Sequence, residues 1–194
     1  MAAHTTDQGE SRVKDALRAI PRRHFLPPQE QPYAAEDRPL PIGHGQTNSQ
    51  PSTVATMLWL LDVREGQHIL DVGAGSGWTT ALLGWLVGPT GRVVGVELEP
   101  DLAQQAARNV AATAQPWATV EVAAPGLLGD PAQGPYDRIL VSAMAPDLPQ
   151  ALINQMAADS VLVAPVNGRL TRLRRSGRDA TTERFGHYRF VPLR

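Results

Sequence analysis

The sequence predicts an α/β domain: a doubly wound, mostly parallel sheet with antiparallel strands at its C-terminal end. Three observations carry this. Short apolar runs alternate with amphipathic stretches through the middle of the chain, the order expected of strands and covering helices. The first run, residues 68–72, carries Asp71 at its end and passes through Gly73, Gly75 and Gly77 into a helical pattern. A second run, RVVGVELE, ends near Glu97, 26 residues beyond Asp71.

The elements follow in order. Residues 1–9 are polar and expected to be disordered. Val13, Ala16, Leu17 and Ile20 recur at helical spacing, which predicts a helix over 11–20 that Pro21 stops. Residues 22–41 are proline-rich and expected to be irregular, and 43–50 read as a polar, glycine-containing loop. Pro51 suits the first turn of a helix, and Val54, Met57, Leu58 and Leu61 give that helix an apolar stripe. Strands are then expected at 68–72, 93–97, 119–123, 138–143 and 161–166. Helices are expected at 78–87, ended by Gly88-Pro89, from Pro100 to about Ala112, and at 148–156. Residues 169–174 and 187–191 read as a closing pair of strands. The 22–50 stretch is too long for a plain connection, which marks it as a lid or binding loop.

Length and composition narrow the function. The 194 residues fit one domain, with a helix and loop region over 1–50 preceding a sheet core over 51–194. Hydrophobic residues make up 42% and charged residues 19%, as in ordinary globular proteins. A net charge of −1 does not call for a nucleic-acid or anionic-membrane partner. The chain has no cysteine, which excludes disulfides, a thiolate nucleophile and the cysteine-addition route to pyrimidine methylation. The first residues lack the apolar core of a signal peptide and no segment has the length to span a bilayer, so a cytoplasmic protein is expected. Five scattered histidines show no metal-ligand spacing. The arginines at 169, 172, 174, 175 and 178 read as a solvated face rather than a nucleic-acid patch.

The glycine loop selects a cofactor. A dinucleotide site takes G-x-G-x-x-G, with a helix N-terminus facing the pyrophosphate. Here the pattern is G-x-G-x-G, one position short, and an acid precedes it. Asp71 would repel a phosphate and favour an ammonium. Glu97 is placed to accept hydrogen bonds from ribose hydroxyls. S-adenosyl-L-methionine has an ammonium, a sulfonium and a ribose diol but no phosphate. Asp71, Gly73, Ala74, Gly75, Ser76, Gly77, Glu97 and Leu98 are its expected site. A lone glycine loop is also compatible with a tight turn that holds no ligand, but that leaves the acids at the ends of both strands unexplained.

The segment DRPLPIGHGQTNSQP at 37–51, with LDVGAGSGW, PYDRILVSA, LVAPV and the terminal YRFVPL, resembles the protein-L-isoaspartate (D-aspartate) O-methyltransferase family over nearly the whole chain. The resemblance implies a Rossmann-like, class I S-adenosylmethionine-dependent methyltransferase fold. It implies methyl transfer to the free carboxylate of isoaspartyl residues in damaged peptides or proteins, a repair reaction that proceeds through succinimide. It places Thr47 and Ser49 at the substrate carboxylate, with Gln46, Asn48 and Val191 in the peptide groove. No metal, nucleic acid or membrane partner is implied, and a monomer is favoured.

The chemistry agrees with this residue set. A carboxylate at neutral pH is already a nucleophile and needs no general base. It needs alignment by neutral donors, since a lysine or arginine would quench it. Hydroxyls and backbone N–H groups near a helix start can do this. His44 reads as a loop histidine bonded to backbone rather than as a base. Ser49 could equally cap the following helix. Trp59, Trp78 and Trp85 read as core, with Trp78 next to the glycine loop.

Three departures from the family pattern keep alternatives open. Ala124-Pro125-Gly126 replaces a Gly-Asp-Gly whose acid holds the adenine. Residues 157–160 replace a Lys-Pro-Gly-Gly turn. Asn48 stands where an aliphatic residue is common. The alternatives are a carboxyl methyltransferase for a different peptide aspartate, a cofactor-weak binding protein that keeps the fold, and, more distantly, an NAD-dependent oxidoreductase.

Overall fold

A computed structural model describes residues 2–194, with side chains from Gly9 onward. The first helix, α1, spans Ala2–Ala19. It therefore begins ahead of the expected start at Ser11, while Met1 lies outside the described residues. Two short 3-10 turns, Arg22–Phe25 and Gln31–Tyr33, punctuate the proline-rich stretch.

The expected irregular loop before Pro51 is instead a small hairpin. Strand β1 (Leu40–Gly43) pairs antiparallel with β2 (Gln46–Asn48). Its turn residues, His44 and Gly45, both have positive φ, as the turns that suit a twisted hairpin require. Helix α2 (Pro51–Leu61) follows directly.

The remaining elements are β3 (His68–Val72), α3 (Trp78–Val87), β4 (Arg92–Glu97), α4 (Pro100–Ala111), β5 (Ala118–Val122), β6 (Tyr136–Val141), α5 (Gln150–Ile153), β7 (Met156–Val166), β8 (Arg169–Ser176) and β9 (Asp179–Phe185). The seven-stranded sheet runs β5-β4-β3-β6-β7-β8-β9. Pairing is parallel from β5 to β7 and antiparallel from β7 to β9.

Strand alternation builds the core on both faces. Ile69 on β3, Val93 on β4 and Val163 on β7 join the cluster with α1, α2 and α3. Leu70 on β3, Val94 on β4, Ile139 on β6 and Leu162 on β7, which are register neighbours of one another, join the opposite cluster. The first cluster is covered by four helices, since α4 adds Ala106 and Val110. The helical cover of the second includes the four-residue α5.

Two expectations are corrected at the C-terminal end. The helix expected over 148–156 is only Gln150–Ile153, because Met156 already belongs to β7 and pairs with Tyr136. Residues 157–160 are thus strand, not a turn. The second closing strand is Asp179–Phe185, not 187–191. Its polar sequence, DATTERF, is largely exposed along its length and gives no buried alternation to read. Residues 187–191 run back toward the cleft instead. The Tyr188 N–H donates to the Gly168 carbonyl at 2.8 Å and the Met144 N–H to the Val191 carbonyl at 2.7 Å.

Candidate active site

β3 is bonded to β4 on one side and to β6 on the other, so the strand order reverses at its C-terminal end. A crevice outside that end is where open α/β sheets bind ligands. The cleft found there takes in the loop after β3, the end of β4, Ser142 after β6, the β1–β2 hairpin and Val191.

The loop turns because its glycines allow it. Gly73, Gly75 and Gly77 have φ of 78°, 57° and 89°, a region costly for residues with a side chain. At Gly77 a Cβ would also lie 2.9 Å from Val110 Cγ2 and 3.0 Å from the Ala106 carbonyl oxygen. Gly77 is therefore the joint between α3 and α4. It does not border the cleft, and its expected direct contact with cofactor is corrected.

Asp71 is corrected too. Alternation on β3 turns it toward the face of α3, where it has no exposed surface. Thr79 and Thr80 each donate a hydroxyl to its Oδ2 at 2.7 Å. Its Oδ1 has no partner among the described residues. Burial pushes the Asp71 carboxyl up to about 6, against the two threonine hydrogen bonds and with a smaller upward push from Glu97. Asp71 fastens the loop to α3 from beneath and presents no exposed surface to the cleft.

The other expected cofactor residues Gly73, Ala74, Gly75, Ser76, Glu97 and Leu98 border the cleft. Glu97 is held in place: the Gly75 N–H donates to Oε2 at 2.8 Å and the Glu99 N–H to Oε1 at 3.1 Å. Leu98 and Leu127, 44% and 54% exposed, form an apolar mouth with Ala123 and Leu128. Pro125 lies off this lining. The one basic residue on the lining, Arg194, is 2.6 Å from Glu99. A fixed acid, an apolar slot and no lysine suit a nucleoside with a free diol and no phosphate, so these residues fit S-adenosylmethionine.

The hairpin supplies the opposite wall. Gln46, Thr47, Asn48 and Ser49 all border the cleft. Thr47, Ser49, Ser142 and Val191 also border a second, adjoining hollow that includes Arg189 and Phe190. The Ser49 hydroxyl is not needed as a cap. The N-cap of α2 is Gln50, without a side-chain bond, and the Ser52 N–H is capped by Asp37 Oδ1 at 2.8 Å. That bond holds the Asp37 carboxyl below its usual range.

Asn48 behaves differently from its neighbours. Its amide is engaged inside the protein, with Arg22 on one side and Ser76 on the other, which corrects its expected side-chain contact with substrate. The His44 side chain, expected to bond backbone, has no such bond among the described residues; it sits at the hairpin tip with Nδ1 3.9 Å from Glu99 Oε2. Trp78 is buried, donates to the Ile20 carbonyl at 3.0 Å and lies under the Arg22 guanidinium. Trp85 is 37% exposed and is not core.

Sequence reasoning missed Ser142, Arg189 and Arg22. Ser142 was within reach, as the first residue past the strand that flanks the switch point. Arg22 gave no signal, since nothing in a proline-rich stretch marks an arginine as buried.

The profile of the family described as Protein-L-isoaspartate(D-aspartate) O-methyltransferase (PCMT) matches residues 3–194. The chain belongs to this family. Among its curated relatives, the Protein-L-isoaspartate O-methyltransferase of Methanothrix thermoacetophila is 43% identical over 184 residues, covering 94% of this chain and 87% of the relative. That of Aeropyrum pernix is 47% identical over 155 residues, 80% of this chain but only 60% of the relative's length. A crystal structure from Plasmodium falciparum, described as an isoaspartate O-methyltransferase in complex with S-adenosyl-L-homocysteine, superposes with a TM-score of 0.80 at 22% identity. It covers 94% of this chain and 90% of its own. That likeness establishes the class I methyltransferase fold for this PCMT family chain.

Proposed function

We propose that this chain is an S-adenosylmethionine-dependent carboxyl O-methyltransferase acting on isoaspartyl residues of damaged peptides or proteins. One observation carries the reading. Thr47 and Ser49 both line the wall shared by the cofactor cleft and the second hollow. A substrate carboxylate held there would face the cofactor across neutral donors.

S-adenosylmethionine, when bound, supplies a methyl group already activated by its sulfonium. The protein's part is then positional. Thr47 and Ser49 donate hydrogen bonds that orient an anionic oxygen without neutralising it. Glu97 fixes the ribose, and the leucines at the mouth exclude water from the adenine. The four residues common to both hollows, Thr47, Ser49, Ser142 and Val191, are uncharged, while Arg189 lines the second hollow and Arg194 the first; a carboxylate nucleophile requires no general base. Alignment of this kind is worth about 7–11 kcal/mol in favourable systems.

The readings that rested on Asn48 and Pro125 lose their motive, since the amide of the first is engaged inward and the second lies off the cleft. The proposal further takes the substrate to be peptide or protein and not nucleic acid, and the enzyme to be a cytoplasmic monomer organised as one domain. Among the described residues no helix is long and apolar enough to cross a membrane.

Labelled methyl transfer to an isoaspartyl peptide, set against its normal aspartyl twin, tests the reading. The isoaspartyl peptide alone should be labelled. Ser49→Ala should lower turnover at least about tenfold while leaving S-adenosylhomocysteine affinity within about twofold. Equal labelling of both peptides, or none of either, overturns the proposal.

A further inference from the structure

Three buried polar side chains form a directed chain between the hairpin and the cofactor loop. Arg22, Asn48 and Ser76 are each no more than 6% exposed. Arg22 Nε donates to Asn48 Oδ1 at 2.7 Å, and Asn48 Nδ2 donates to Ser76 Oγ at 3.1 Å. Arg22 Nη2 also donates to the Asn48 carbonyl at 2.9 Å and to the Arg38 carbonyl at 2.8 Å. A guanidinium has donors only. The amide oxygen of Asn48 must therefore face Arg22, and its NH2 must face Ser76. Ser76 Oγ is thereby cast as acceptor on that side. Its own proton has to point elsewhere, and no protein acceptor takes it among the described residues. Asn48 and Ser76 both border the cofactor cleft.

We propose that Asn48 is a positioning residue that presets the Ser76 hydroxyl as a donor to the amino-acid carboxylate of the cofactor. This rests on the S-adenosylmethionine reading of the cleft. Of the charged groups on that cofactor, only the carboxylate accepts a hydrogen bond. The ammonium carries donors and the sulfonium is cationic, so both would face the Ser76 proton unfavourably. Because Asn48 lies between Thr47 and Ser49, the same contact ties the cofactor tail to the strand that carries the substrate donors. An aliphatic residue at position 48 could not make this tie.

The proposal makes an unusual demand of Asn48→Asp. An aspartate keeps the size and gives Arg22 an ion-pair partner. It has no N–H, however, so Ser76 must donate to it and turn its lone pairs on the cofactor carboxylate. Calorimetry with two ligands, S-adenosylhomocysteine and 5′-methylthioadenosine, which lacks the amino-acid tail, reads this without turnover. Ser76→Ala and Asn48→Asp should each weaken S-adenosylhomocysteine about tenfold to a hundredfold and leave 5′-methylthioadenosine within about threefold. In the double variant the second substitution should add almost nothing. Equal losses for both ligands, an unchanged Kd for Ser76→Ala, or full additivity would overturn it. Should Asn48→Asp fail to fold, Ser76→Ala against the two ligands still decides. Failure of the unaltered protein to bind either ligand would overturn the cofactor reading itself.

Discussion

Asp71 has no exposed surface, and its carboxyl answers to α3 rather than to the cleft. Its identity as an acid at a strand end was legible in the sequence. Which way it points was not, because the alternation of β3 is set by packing on both faces. Its raised pKa has a consequence for stability. Below the usual 3.8 the group is protonated folded or unfolded, and above about 6 it is ionised in both. Between those values the folded chain binds more proton, so this group's contribution falls as pH rises through the window and is level beyond it. Two units correspond to about 3 kcal/mol. Asp37, whose carboxyl is held low by Ser52, acts in the opposite sense and loses its contribution as pH falls. Asp71→Asn separates the two. Its urea-unfolding stability relative to the unaltered protein should improve by about 3 kcal/mol between pH 4 and pH 7. Parallel profiles would refute the assignment. Asn48 teaches the complementary lesson: the residue could be singled out as unusual, but its two partners come from positions 22 and 76, which no local pattern connects.

At the scale of elements, buried runs were easy to read and exposed ones were not. β3, α2 and α3 fall where their apolar spacing puts them, since their side chains fill the core. β9 was missed because an edge strand bonded on one side needs no apolar face. The hairpin was read as loop because its strands are short and carry proline. Yet it is the element that matters most to the site, and α2 holds it from behind through the Asp37 cap on Ser52. Asp37→Ala should lower unfolding free energy by about 1 kcal/mol, measured by chemical denaturation. No change would mean that Pro51 at the first helical position, not the cap, sets the start of α2.

For the molecule as a whole, the location of the cleft follows from strand order alone, and it takes residues from the hairpin, the loops after β3, β4 and β6, and the tail. A ligand bound only by the folded chain stabilises it by about 2.7 kcal/mol at a hundredfold excess over Kd. For a domain of this size that is about 5–10 °C in the unfolding midpoint. S-adenosylhomocysteine should produce such a rise in a thermal scan and NAD should not. The reverse result would reinstate a dinucleotide site.

The wall shared by the two hollows has one further consequence. Since Thr47, Ser49, Ser142 and Val191 border both hollows, a single synthetic molecule with adenosine at one end and an extended peptide at the other would straddle that partition. Once the nucleoside end is seated, the tethered end would meet its groove at a local concentration of roughly millimolar. Tight inhibition would then come from two weak grips joined by a linker only a few atoms long.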